Sequence, residues 1–277
     1  MPELPEVETV RLTLAHLLGN PCIQEVNVRY PNLIETHDSL SFSNILIGKT
    51  IKDYKRIGKY LMFDLGDYML ISHLRMEGKY YVQKHCDSYD PKHTHLIIRF
   101  ENEVELRYHD TRKFGRMYLY KKAIDPYTYP CMKNVGYDVF DERITVAYLW
   151  QMLHHRTITL KQALLDQRVM AGVGNIYADE ICFALHLHPE TNISHLRKSD
   201  FECMILETRR ILTGASNAGG TTIRSYTSQL GVDGRFQLQL KVHGREKQTC
   251  YTCGNLITKI RVGGRGTYYC KECQKKR

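Results

Sequence analysis

No apolar run in this 277-residue chain approaches the ~20 residues needed to cross a bilayer as a helix. The acidic start also lacks the positive n-region and apolar core of a signal peptide. Membrane insertion and secretion are therefore not expected, and a cytoplasmic location is. Low-complexity tracts and internal repeats are missing too, which sets aside disordered and solenoid architectures. Nine cysteines cannot all pair, an argument against a fully disulfide-bonded scaffold. Acid is nearly absent from the C-terminal end. Between Arg235 and Arg277 only Glu246 and Glu272 oppose eleven Lys or Arg, a balance of +9 that equals the net charge of the whole chain. A segment of that density suits a polyanion such as nucleic acid, although a solvated, solubilising tail accounts for it equally well.

The length suggests two domains, each able to bury a core, and 43% hydrophobic with 25% charged residues is ordinary for a globular protein. Tyr54 to Val82 and His95 to Tyr120 alternate apolar and polar residues and break at Gly66-Asp67 and Glu101-Asn102, a pattern of strands. From Ile144 to Leu212 the apolar spacing turns helical, with groups at Ala147–Leu153, Leu160–Leu165, Ile176–Leu185 and Phe201–Leu212. Polar clusters interrupt the strands: Arg56-Ile-Gly-Lys59-Tyr60, His73-Leu-Arg-Met76-Glu-Gly78 and Asp110-Thr-Arg112-Lys113-Phe114-Gly115. Met76 and Phe114 beside arginines would suit wedging into a base stack, yet the default for both is core packing, and for His93 or His95 a surface strand position. In Gln167–Asn175 the glycines allow close backbone approach and Asn175 can cap the next helix, exposing amides to a phosphate. A plain turn between helices explains that segment as well. Ser216 to Gln237 is rich in Gly and Ser and reads as a mobile loop.

The first residues carry the most chemistry. Met1 precedes a small residue, so its removal is expected to leave Pro2 as a secondary amine at the mature N-terminus. α-Amino groups titrate near pH 8, about two units below lysine, so a useful fraction is neutral and nucleophilic. Glu3 stands beside it as a general acid or base. The same residues also make an ordinary helix start. Val7, Val10, Leu14 and Leu17 or Leu18 recur at helical spacing and end at Gly19, with Pro5 and the acids Glu3, Glu6 and Glu8 in the first turn.

Cys22, Cys86, Cys131, Cys182 and Cys203 are scattered and expected as buried, reduced thiols. Cys250-x2-Cys253 and Cys270-x2-Cys273 are different, since two-residue spacing brings both thiolates of a pair to one ion and two pairs complete a tetrahedron. Lys259 to Tyr269 between them reads as a β-hairpin with Gly263, Gly264 and Gly266 at the turn. One structural zinc is expected. A site closed by four cysteines leaves no position for catalysis. Arg265, among the glycines at the tip, could reach a phosphate or stand free in solvent.

Together these clusters resemble the bacterial formamidopyrimidine-DNA glycosylases. The matching elements are Pro2-Glu-Leu-Pro-Glu-Val-Glu-Thr9, Gly58-Lys59-Tyr60-Leu61, His73-Leu-Arg-Met76, Lys92-His93-Thr-His95, Arg112-Lys-Phe114-Gly115, Gly172-Val-Gly-Asn175, Gly219-Gly-Thr-Thr222 and the hairpin Arg265-Gly-Thr-Tyr-Tyr-Cys270, in family order over essentially the whole chain. The resemblance implies an α+β fold: an N-terminal helix with a β-sandwich (1–134), a helix–two-turn–helix domain with a lesion loop (135–235) and a zinc-finger β-hairpin (236–277). It implies an enzyme of base-excision repair that binds damaged double-stranded DNA as a monomer, without a membrane, in a bacterial cytoplasm. It also assigns Pro2 as nucleophile, Glu3 as acid/base partner, Lys59 at the lesion phosphates, and Met76, Arg112 and Phe114 in the gap left by an extruded nucleotide. His93, Asn175 and Arg265 would bind phosphates, with Arg265 a proton donor as well. Thr221, Thr222, Arg224 and Tyr226 would meet the flipped base. Thr111 and Lys113 stand where many members have proline and arginine, a departure that bears on opposite-base preference. Two alternatives remain open at this level: an oxidised-pyrimidine glycosylase of the endonuclease VIII type, and a non-catalytic zinc-dependent protein that binds bent or abasic DNA.

Overall fold

The computed structural model describes residues 1–221 and 236–277. They fall into two units, Met1–Lys133 and Asn134–Thr221 with 236–277.

The first unit opens with helix α1 (Leu4–Leu18), which buries Val7, Val10, Leu14 and Leu18 and stops at Gly19, where φ is +61°. The tyrosine hydroxyl of Tyr54 donates to the carbonyl of Gly19 at 2.9 Å and fixes that end. Strand β1 (Ile23–Val28) and helix α2 (Ser39–Leu46, capped by Asp38) follow. Then come β2 (Asp53–Ile57), β3 (Tyr60–Asp64), β4 (Tyr68–His73), β5 (Lys79–Lys84), β6 (Thr94–Phe100), β7 (Val104–His109) and β8 (Arg116–Lys121). The breaks between strands fall at the turns read from the sequence. Two antiparallel four-stranded sheets result, ordered β1-β6-β7-β5 and β2-β3-β4-β8. Their inward residues, among them Phe63, Leu70, Ile98, Phe100, Leu106 and Leu119, merge with α1 and α2 into one core, the packing of a β-sandwich.

The second unit is helical: α3 (Val146–Leu153), α4 (Leu160–Leu165), α5 (Asn175–Ala184) and α6 (Lys198–Asn217), with a two-residue parallel pair, β9 (Tyr137–Asp138) and β10 (Met170–Ala171). Thr159 and Gln162 close α4 with a reciprocal capping box. The expected hairpin forms as β11 (Ile257–Val262) and β12 (Arg265–Cys270), and Val262 pairs with Arg265 across a two-residue turn. Gly263 and Gly264 both have positive φ, +53° and +78°, the backbone a tight hairpin of this twist demands. No helix among the described residues is long and apolar enough to cross a membrane.

Several expectations need correction. Cys203 is exposed, because it lies on the solvent face of α6, whose buried stripe is Phe201, Met204, Ile205, Thr208, Ile211, Leu212 and Ala215; Cys86 is exposed too. Ser216 and Asn217, read as loop, complete α6. Residues 222–235 of the expected loop, including Thr222, Arg224 and Tyr226, lie outside the described residues.

Candidate active site

In the first unit Pro2 is buried at the head of α1, and Glu3 is its N-cap residue, 3% exposed. The Glu6 carboxylate accepts from the Glu3 N–H at 2.8 Å, one arm of a capping box. The ordinary helix-start reading and the chemical one therefore use the same residues. Pro2 and Glu3 are neighbours through their peptide bond, and the capping box fixes Glu3 at the start of α1.

Lys59 sits in the two-residue turn between β2 and β3, beside Gly58 at φ +54°, and is 6% exposed. Arg56 ties this turn to α1. Its Nε donates to Glu8 Oε2 at 2.9 Å and its Nη1 to the Gly58 carbonyl at 3.0 Å. Arg11 donates to the same Glu8 carboxylate at 2.6 Å. Burial works to raise the Glu8 pKa, but the two guanidinium groups outweigh it and keep the carboxyl ionised. His73 packs edge-on to Tyr60 and accepts the Arg75 N–H on Nδ1 at 3.0 Å. Burial, then the charges of Arg75 and Lys59, push His73 down to about 3 from 6.5. Folding thus holds this ring neutral where the unfolded chain would be protonated. Its contribution to stability is full above about pH 6.5 and is lost as pH falls toward 3. His73→Gln should flatten that loss, measured by urea unfolding at about pH 7 and about pH 4.5.

Met76 and Phe114 are not core residues. They are 39% and 47% exposed, at the tips of the β4–β5 and β7–β8 turns, with Arg112 stacked 4.6 Å above the Phe114 ring. Both turns close on one residue. A Cβ on Gly78 would come within 2.2 Å of the Tyr108 hydroxyl, and one on Gly115 within 1.7 Å. Only glycine lets the two turns approach that ring, which brings the exposed Met and Phe to one end of the unit. His93 is half-buried with its ring 5.5 Å from that of His109. His95, expected on the surface, is 3% exposed, and its Nε2–H donates to the Asp110 carbonyl at 2.7 Å.

In the second unit Asn175 does not cap α5. Gly174 occupies that position, and the Asn175 amide donates to the Gly266 carbonyl at 3.1 Å, so it joins the helix to the hairpin. Arg265 opens β12 and is exposed. Lys161 and Asp179, both 0% exposed, pair at 2.7 Å. Lys161 also donates to the Gly266 carbonyl at 3.0 Å and to Thr267 Oγ1 at 2.8 Å. Asp179 accepts from the Tyr268 N–H at 3.1 Å and pairs with His243 Nδ1 at 2.7 Å. Glu180 accepts three further N–H groups, those of Lys241, Val242 and His243. These buried charges moor the hairpin to α4 and α5. Lys161→Met should cost the unit about 3–5 kcal/mol by stranding Asp179, and the Lys161→Met/Asp179→Leu pair less, as read from thermal melts. Thr221, after Gly219-Gly220 at the end of α6, is buried.

Family models match in chain order: the formamidopyrimidine-DNA glycosylase N-terminal domain over residues 1–117, the H2TH domain of the same glycosylases over 135–227, and a zinc finger found in FPG and IleRS over 247–276. The chain belongs to the formamidopyrimidine-DNA glycosylase family. The glycosylase of Shouchella clausii is 46% identical over 275 residues, 99% of each chain, and that of Bacillus subtilis 42% identical over the full length of both. A mutant of the Lactococcus lactis FPG solved with Fapy-dG-containing DNA, and the Lactococcus lactis Fpg solved with DNA containing an abasic site, each superpose with a TM-score of 0.91 at 38% identity, covering 99% of this chain and 100% of that one.

As in the family's zinc finger, Cys250, Cys253, Cys270 and Cys273 hold one structural zinc. Their sulfurs all lie within 4.8 Å of one another, with Cys250–Cys273 at 3.8 Å and Cys253–Cys270 at 3.4 Å. Tetrahedral zinc with bonds of ~2.3 Å needs edges near ~3.8 Å, so the four thiolates fit. The Thr252 N–H donates to Cys250 Sγ at 3.4 Å and orients that ligand.

The spacing places Asp110 only within a polar cluster and does not single out Lys161, Asp179, Glu180 or His243. A signal existed for some of them. Asp179-Glu180 and Lys161 are charges inside otherwise apolar helical runs, which calls for buried partners.

Proposed function

We propose that Pro2 is the nucleophile with which this chain excises oxidised purines, 8-oxoguanine and formamidopyrimidines, from duplex DNA. The chain is a DNA glycosylase of base-excision repair with AP lyase activity. It acts as a monomer on damaged double-stranded DNA. The observation that carries the assignment is the burial of Pro2 and Glu3 together at the head of α1, on the unit that also presents Lys59 and the Met76/Phe114 turns.

After removal of Met1 the Pro2 nitrogen attacks C1′, the glycosidic bond breaks, and the damaged base leaves with a proton. Glu3 helps open the sugar at O4′, which yields a protein–DNA iminium. The iminium acidifies the C2′ proton, whose loss expels the 3′-phosphate; loss of the C4′ proton then expels the 5′-phosphate, with Arg265 as the proton donor of that step. A one-nucleotide gap with phosphate at both ends is left. Lys59 holds the lesion phosphates and assists elimination. Extruding the nucleotide costs a few kcal/mol, less for a damaged pair. Met76, Arg112 and Phe114 fill the space it leaves, Arg112 toward the orphaned cytosine, while His93, Asn175 and Arg265 bind phosphates. Thr221, with Thr222, Arg224 and Tyr226 of the segment outside the described residues, contacts the flipped base. We assign these roles to a division at 1–134, 135–235 and 236–277, and place the enzyme in the cytoplasm, on the nucleoid.

Borohydride should trap an adduct between Pro2 and an 8-oxoguanine duplex, and thymine glycol should be the poorer substrate. Absence of the adduct, or a purified chain that retains Met1 and is fully active, would overturn the assignment.

A further inference from the structure

The turn that carries Arg112 and Phe114 is shaped by a single buried carboxylate. Asp110 is 0% exposed. Its Oδ1 accepts the Arg112 N–H at 2.9 Å, and its Oδ2 accepts the N–H groups of Phe114 at 3.0 Å and Gly115 at 2.8 Å. Its own carbonyl takes the ring N–H of buried His95 at 2.7 Å. The clamp continues outward. Lys113, held at φ +57°, puts its ammonium 5.0 Å over the Tyr30 ring, and Tyr30 in turn packs 5.3 Å from His95. Asp110 and His95 thus hold the turn from inside, while Arg112 and Phe114 are exposed on it.

A left-handed residue other than glycine is costly, and three amides aimed at one carboxylate would scatter without it. A charged acceptor shared by three N–H groups is a strong local constraint. We infer that Asp110 is a positioning residue that presets the Arg112–Phe114 wedge, so that excision from duplex DNA and the choice of opposite base depend on a side chain that touches neither DNA strand. This rests on the functional reading above, which places Arg112 and Phe114 in the gap left by the extruded nucleotide.

The experiment compares wild type, Asp110→Asn and Asp110→Ala on three probes: 8-oxoguanine opposite cytosine, 8-oxoguanine opposite adenine, and a single-stranded oligonucleotide bearing a preformed abasic site. The last needs Pro2 chemistry but no wedge. Asp110→Ala should lower duplex excision about tenfold or more and shrink the cytosine-over-adenine preference, with single-strand cleavage within about twofold of wild type. Asp110→Asn should fall between, since one carboxamide oxygen can still accept from Phe114 and Gly115. It also decides the matter if the alanine variant does not fold. Equal losses on duplex and single strand, or an unchanged opposite-base ratio in a folded variant, would overturn the inference alone. Wild type inactive on the lesion duplex would remove the functional reading and this inference with it.

Discussion

Acetylation of the Pro2 nitrogen should abolish borohydride trapping and lower base release by at least about a thousandfold, in single-turnover assays on an 8-oxoguanine duplex. An amide nitrogen has its lone pair delocalised and cannot form the iminium, so the covalent route closes completely. What survives is binding and positioning of the lesion, which by itself does not break the glycosidic bond at a comparable rate. A thousandfold corresponds to about 4 kcal/mol of lost barrier reduction, modest for removal of a covalent nucleophile. DNA affinity should change little, which separates this result from unfolding. Full activity of the acetylated chain would end the mechanism. Pro2→Gly keeps an amine and is expected only to weaken trapping. If Glu3→Gln then leaves base release intact, the acid/base role given to Glu3 is wrong.

Removal of zinc should produce the second large effect. The finger's small core, Val242, Cys250, Ile257 and Cys270 with Phe183 of α5, is too slight to hold the hairpin by hydrophobic burial alone. Structural zinc supplies on the order of 10–16 kcal/mol of apparent folding energy in isolated fingers. A chelator, or Cys270→Ser, should therefore release one equivalent of zinc, melt β11 and β12, and weaken binding to lesion duplex at least about a hundredfold. A chromogenic zinc indicator and a titration with labelled duplex read both changes. The first unit has its own core and should keep its thermal transition. Tight DNA binding by zinc-free protein would contradict the part assigned to Arg265.

Local spacing made much of this legible. Val7, Val10, Leu14 and Leu18 announced α1, and Gly19 its end. The paired cysteines announced their cluster, since a two-residue gap constrains geometry whatever surrounds it. Defaults based on residue type failed where burial was at stake. Met76 and Phe114 are apolar, yet they stand out at the turn tips because the inward places are filled by Tyr80, Leu106 and Tyr108. His95 lies inside rather than on the surface, and its ring N–H is satisfied there by the Asp110 carbonyl. Asn175 had the residue type of a helix cap and serves instead as a tie to a strand 91 positions away.

The sequence by itself determined which groups are available: Pro2 and Glu3 opening α1, four cysteines at chelating spacing, and cations gathered at one end. Those follow from identity and separation along the chain. Tertiary structure alone decided which charges are buried and what satisfies them. Lys161 reaches Asp179 within its own helical region, but it also meets Gly266, 105 residues on, and Asp110 draws three amides onto one carboxylate. A buried charge survives only if the folded chain surrounds it with partners, and which partners arrive is set by packing between distant segments.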